Sequence, residues 1–135
     1  MNWGKVFLGG IVGGIAIWLV DFVLHGIVMA DTYMRFPEVF AQEADPMNMW
    51  WFLLVEVCIA TAATMLFVKT RGSWGAGVKG GLTFGFFLGL VGFFPGFFSP
   101  LTIEGFPYFL AWCWGGMTMI VSLVLGAVLS FIVKS

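Results

Sequence analysis

Charge is the scarcest ingredient of this chain. Six Lys and Arg and seven Asp and Glu make up 10% of its 135 residues, against roughly 25% in an ordinary soluble domain. So few charges cannot cover a globule that is 61% hydrophobic, which excludes a soluble globular domain. The net charge is −1 and no basic face is available, which excludes a nucleic-acid binder. The apolar content excludes a disordered chain. Cysteine is scarce too. Cys58 and Cys113 both lie in apolar runs with no CxxC or CxxH spacing, and both read as small buried hydrophobes without a disulfide. Catalytic signatures are missing: there is no GxSxG, no HExxH and no membrane-protease arrangement of Ser, His and Asp. Neither an enzyme nor a cofactor is therefore expected.

What the chain has is apolar length. Mean hydropathy is +1.03, with 19 Gly, 16 Phe, 8 Met and 7 Trp. The class is a polytopic membrane protein, and the length accommodates about four spans of roughly 20 residues. The pattern predicts an all-α, single transmembrane domain over 1–135, with spans at about 6–30, 47–68, 78–98 and 107–133 and an outer loop at 31–45. Asp45-Pro46 is a good helix start for the second span. Val28-Met29-Ala30 fits a signal-peptide cleavage site, but the preceding apolar stretch is too long for a leader. Four spans put Lys5, Lys69, Arg71, Lys79 and Lys134 on one side and Arg35 alone on the other. This asymmetry predicts that both termini are cytoplasmic. In the outer loop, Pro37 and Glu38 are expected to open a short helix that lays Val39 and Phe40 on the membrane surface.

Each span carries a stripe of small residues. Gly9, Gly10, Gly13 and Gly14 mark the first, Ala60 and Thr64 the second, Gly81, Gly85 and Gly89 the third, and Thr118, Ser122, Gly126 and Ser130 the fourth. Small residues let helix backbones approach in lipid, where no hydrophobic drive joins them. The expectation is a glycine-packed bundle, with the surplus glycine of the third span available for a subunit interface. Pro95-Gly96 is expected to kink or end that span, leaving Phe93, Phe94, Phe97 and Phe98 as an aromatic cuff.

Three ionisable residues fall inside spans: Asp21 and His25 in the first and Glu56 in the second. Such groups cost about 2.5–3.5 kcal/mol at a helix centre on insertion scales and normally face the bundle interior. Asp21 and His25 are four residues apart and share a face. Asp21 lies nine residues before Ala30 and Glu56 nine after Met47, which predicts a common level ~13 Å inside the outer end. Cys113 falls near that height. Three readings compete: a hydrogen-bonded triad pinning the first span to the second, a proton relay or cation path, and a divalent metal site with Asp21, His25 and Glu56 as weak candidate ligands.

The stretch Asp21-Phe22-Val23-Leu24-His25-Gly26, the outer-loop Tyr33 and the Met47-Asn48 opening of the second span resemble uncharacterised small four-helix bacterial inner-membrane proteins. The resemblance covers the first half of the chain. It implies a multi-pass protein of the bacterial inner membrane and supplies no activity. Small multidrug resistance transporters differ, because their essential carboxylate lies mid-span in a neighbourhood missing here. Dual-topology fluoride channels differ in their asparagine-glycine-serine motifs and lack of a fixed charge bias. The expected partners are the lipid bilayer and either the chain itself or another membrane protein. The leading expectation is a homo-oligomer or an accessory subunit of a membrane complex acting through helix packing. The alternative is a small proton- or cation-linked transporter or channel using Asp21, His25 and Glu56.

Overall fold

Residues 1–40 and 45–134 are described here from a computed structural model. Four helices are long and apolar enough to cross a membrane, and the described residues contain no strand. Helix α1 (Trp3–Asp21) continues into a π-helical segment, Phe22–Val28, and the chain then turns into the short α2 (Ala30–Met34). Helix α3 spans Met47–Thr70, α4 Gly77–Phe98 and α5 Tyr108–Ile132. Short 3₁₀ turns follow α3 at Arg71–Ser73 and α4 at Ser99–Thr102.

Local sequence explains several of the boundaries. The Asn2 side chain caps α1 by accepting the Lys5 N–H at 3.2 Å. The Asp45 carboxylate accepts the Met47 N–H at 2.9 Å at the start of α3. The turn before α4 needs backbone that only glycine adopts at low cost: Gly75 has φ +81° and Gly77 φ +60°. Helix α4 does not end at Pro95. It runs on through Phe98, because the turns on either side supply the remaining backbone bonds.

Successive membrane-length helices run antiparallel. α1 packs on α3 and α5, and α4 packs on α5. At the sites of closest approach a side chain would have no room. A Cβ on Gly14 would lie 2.6 Å from the Val57 Cα, and one on Gly9 2.5 Å from the Thr64 side chain. Gly13 abuts Leu125 and Ala60. Between α4 and α5, Gly81 faces Gly126 and Ser130, Gly85 faces Ser122, and Gly89 faces Met119 and Ser122. Gly92 and Gly96 turn to Thr118, and Gly80 to the Gly75 carbonyl. From Gly80 to Gly96 the glycines of α4 thus meet α5 or the turn before α4 inside this one chain.

Two cores result. One gathers Ile17, Ala60, Ala63, Phe67, Phe84, Val121, Leu125 and Leu129 along the middle and the end bearing the termini. There the Phe67 and Phe84 rings, 4.8 Å apart, join α3 to α4. The other gathers Phe97, Phe106, Leu110 and Ala111 at the opposite end. Val39 and Phe40 pack onto this second core instead of lying on the membrane surface, and 37–40 form turns, not a helix. The Phe40 ring lies 5.8 Å from that of Phe106 and 6.1 Å from that of Trp114, so its apolar area is buried against the second core. The four-phenylalanine cuff divides: Phe93 and Phe97 stack against α5 at Trp112, whereas Phe94 and Phe98 face outward. Cys58 is exposed on α3 and Cys113 is half-buried, so only the latter approaches the buried state expected from sequence. Glu43 of the outer loop lies outside the described residues.

Candidate functional site

The site is built where α1 passes into its π-helical segment. The turn is wider there, and the Met29 N–H reaches back five residues to the Leu24 carbonyl at 3.0 Å. π-Helical turns are rare and recur at functional sites. This one carries His25 and lets the chain bend immediately into α2, which brings Tyr33 back beside the imidazole.

Asp21 and His25 share a face, with His25 Nε2 3.8 Å from Asp21 Oδ1. Glu56 of α3 comes beside Asp21. The two carboxyls do not start at one level, as equal sequence depth suggests. Gly14 against Val57 and Gly10 against Thr61 set the register, which puts the Glu56 backbone across from the Ile15–Ile17 turn, below Asp21. Side chains lean toward the N-terminus of their own helix. Because α1 and α3 are antiparallel, Glu56 leans up, Asp21 leans down, and the carboxyls meet across the gap.

Beyond His25 lie two partners that sequence spacing does not reveal. His25 Nδ1 is 2.5 Å from the Tyr33 hydroxyl, and Trp114 Nε1 of α5 donates to the same hydroxyl at 2.8 Å. Indole N–H is a donor only, so Tyr33 accepts there, and its own proton is free to point at Nδ1. With that direction the imidazole hydrogen sits on Nε2, the nitrogen nearer Asp21. The result is a row of polar side chains, Trp114, Tyr33, His25, Asp21 and Glu56, drawn from α5, α2, the first span and α3. The Trp114 signal in the sequence is its position next to Cys113, which depth counting already places at this height.

The two ends differ in character. Tyr33 is boxed by Phe40 (4.7 Å between rings) and Trp114, with Phe106 5.0 Å from Trp114 behind it. Burial pushes the phenol up to about 12, although the Trp114 hydrogen bond pulls the other way. Tyr33 is thus a neutral hydrogen-bond relay at ordinary pH. At the other end the side chains of His25 and Asp21 keep 38% and 27% exposure. Among the described residues no three His, Cys, Asp or Glu side chains are grouped to hold a metal ion.

No family model, curated protein or solved structure matches this chain.

Proposed function

We propose that this chain is a small proton- or cation-linked membrane protein, with Asp21, His25 and Glu56 as the group that takes up and passes the charge. What carries the reading is the row of polar side chains from Glu56 through Asp21 and His25 to Tyr33 and Trp114, part-exposed at Asp21 and His25 and packed among aromatic rings at the other end. Two facing carboxyls and an imidazole supply sites that change charge within an otherwise apolar bundle. A purely structural pin would be served by a closed, fully paired cluster. The partial exposure of Asp21 and His25 favours traffic instead. The five basic residues at the end bearing the termini support an orientation with both termini cytoplasmic, and the resemblance supports the bacterial inner membrane.

The test is proton flux into liposomes holding a pH-sensitive dye, driven by a potassium diffusion potential. Wild-type protein is expected to acidify the lumen above protein-free vesicles. Glu56→Gln and Asp21→Asn are expected to lose the flux and keep a folded helical spectrum. Wild-type flux equal to that of empty vesicles would refute the reading, as would full activity in Glu56→Gln.

A second reading, association as a homo-oligomer or an accessory subunit, is favoured by α3. This helix has α1 as its main neighbour, and Trp50, Trp51, Phe52, Val55, Cys58 and Ile59 stand exposed along it. A glycine-packed bundle supports the same reading only indirectly. The stripes of Gly9, Gly13, Gly81, Gly85, Gly89, Ser122 and Gly126 meet within one chain, so a partner would meet the large side chains of α3.

A further inference from the structure

At the other end of the molecule, Arg71 is only 8% exposed. Its Nε donates to the Val133 carbonyl at 2.9 Å and its Nη1 to the Gly75 carbonyl at 2.5 Å, and its guanidinium lies 5.0 Å over the Phe67 ring. The remaining nitrogen, Nη2, is buried with no hydrogen-bond partner. A charged donor left unmade in this way is costly and calls for an acceptor. Neither Asp nor Glu stands at this end among the described residues to provide one. The acidic residues here are Asp21 and Glu56 in mid-bundle and Asp31, Glu38, Asp45 and Glu104 at the far end.

Arg71 forms part of the wall of a cleft of about 350 Å³, with Gly77, Val78, Ser130, Phe131 and Lys134. Gly77 and Val78 are the first residues of the 22-residue α4, whose N-cap, Ala76, has no side chain able to cap it. First-turn N–H groups lack intrahelical partners and carry the positive end of the helix dipole. The cleft therefore joins two cations, open backbone donors and an unsatisfied guanidinium nitrogen, with no Asp or Glu among its described lining residues. Ser130 contributes no donor, since its hydroxyl already donates to the Ala127 carbonyl at 2.6 Å. On the outer side, Val78 and Phe131 are exposed apolar walls, and Phe131 is 67% exposed.

We propose that this cleft is a binding site for a phosphate-ester anion, filled by the headgroup of an anionic phospholipid. The phosphate oxygens take the Arg71 Nη2, the Lys134 ammonium and the α4 first-turn N–H groups. The acyl chains run along Val78 and Phe131 into the bilayer. A helix N-terminus with flanking cations suits phosphate, and apolar walls leading away from it suit a lipid better than a soluble anion. The site is independent of the carboxyl–imidazole chain and stands whether or not that chain carries protons.

Native mass spectrometry of the protein from detergent tests this. The probes are phosphatidylglycerol, phosphatidylcholine and inorganic phosphate, each added alone. Wild type is expected to retain one phosphatidylglycerol in preference to phosphatidylcholine. Lys134→Gln, at an exposed position that leaves the fold intact, is expected to weaken that binding about fivefold, the effect of one cation near a lipid surface. Arg71→Gln should abolish the preference if it folds, and Arg71→Lys should restore it only in part, because a single ammonium nitrogen lacks the planar fork that sets separate nitrogens toward Val133, Gly75 and a phosphate. Binding of inorganic phosphate with the same sensitivity to Lys134→Gln would support the anion site with a soluble source. Equal retention of both lipids, or wild-type binding in Lys134→Gln and Arg71→Gln alike, would overturn it.

Discussion

The Tyr33 hydroxyl stands 2.5 Å from the His25 Nδ1, joining the short helix beyond the first span to the π-helical end of that span. This contact holds the imidazole in one orientation, with Nε2 toward Asp21, and it ties the outer segment down over the second core.

Tyr33→Phe should therefore strand both the His25 nitrogen and the Trp114 N–H. Each unsatisfied buried group costs about 1–3 kcal/mol, so thermal unfolding in detergent should fall well below wild type. Trp114→Phe removes its donor together with the bond and should cost less. The sign of the pH dependence follows from the raised phenol: folding favours the protonated form. The contribution is complete below the ordinary tyrosine value of 10 and is lost as pH climbs toward about 12. Wild type should lose stability over that interval, and Tyr33→Phe should not show that loss.

Gly85→Leu should destabilise the bundle far more than Val91→Leu. A Cβ at Gly85 already lies 3.0 Å from the Leu123 Cα of α5, whereas Val91 is 73% exposed. Overpacking at such a site costs typically about 1–3 kcal/mol and more where backbone must move. Equal melting temperatures for the two variants would remove the α4–α5 contact as a source of stability.

Cys58 provides a direct probe of association, because it is exposed on the open face of α3 while Cys113 is half-buried. Mild oxidation in native membranes should yield a dimer that disappears in Cys58→Ser and persists in Cys113→Ser, if α3 meets α3 of a second copy. A chain that stays monomeric under oxidation and elutes as a monomer would count against a symmetric α3 contact.

Orientation can be read from the basic residues by a C-terminal reporter. Lys5, Lys69, Arg71, Lys79 and Lys134 share the end bearing the termini and Arg35 the other. An alkaline phosphatase fusion should be inactive and a fluorescent-protein fusion bright. Moving the bias, by replacing Lys69 and Lys79 with Gln, should produce a mixed topology.

The four membrane-length helices were legible because hydropathy depends on composition within a window and needs no knowledge of neighbours. The i,i+4 pairing of Asp21 with His25 was legible for a similar reason, since helical geometry alone sets it. Other features were beyond any linear reading. Equal counting from the span ends put the Asp21 and Glu56 carboxyls on one level, and they do meet, but the glycines that let the backbones close set the Glu56 backbone below Asp21, so the meeting depends on the two side chains leaning together. Tyr33 and Trp114 are 81 residues apart, and only the bend at Phe22–Val28 brings the first back to the second. That bend depends on a five-residue hydrogen-bond step that no periodicity in the sequence announces. Arg71 read as one loop cation among several. Its burial follows from the fold of the turn against Val133 and Phe67, which closes only once α3, α4 and α5 have met. Residue type and order thus determined four helices long and apolar enough to cross a membrane and which polar groups lie within them. Tertiary contact decided which of them touch, because helix packing, not sequence distance, sets their separation.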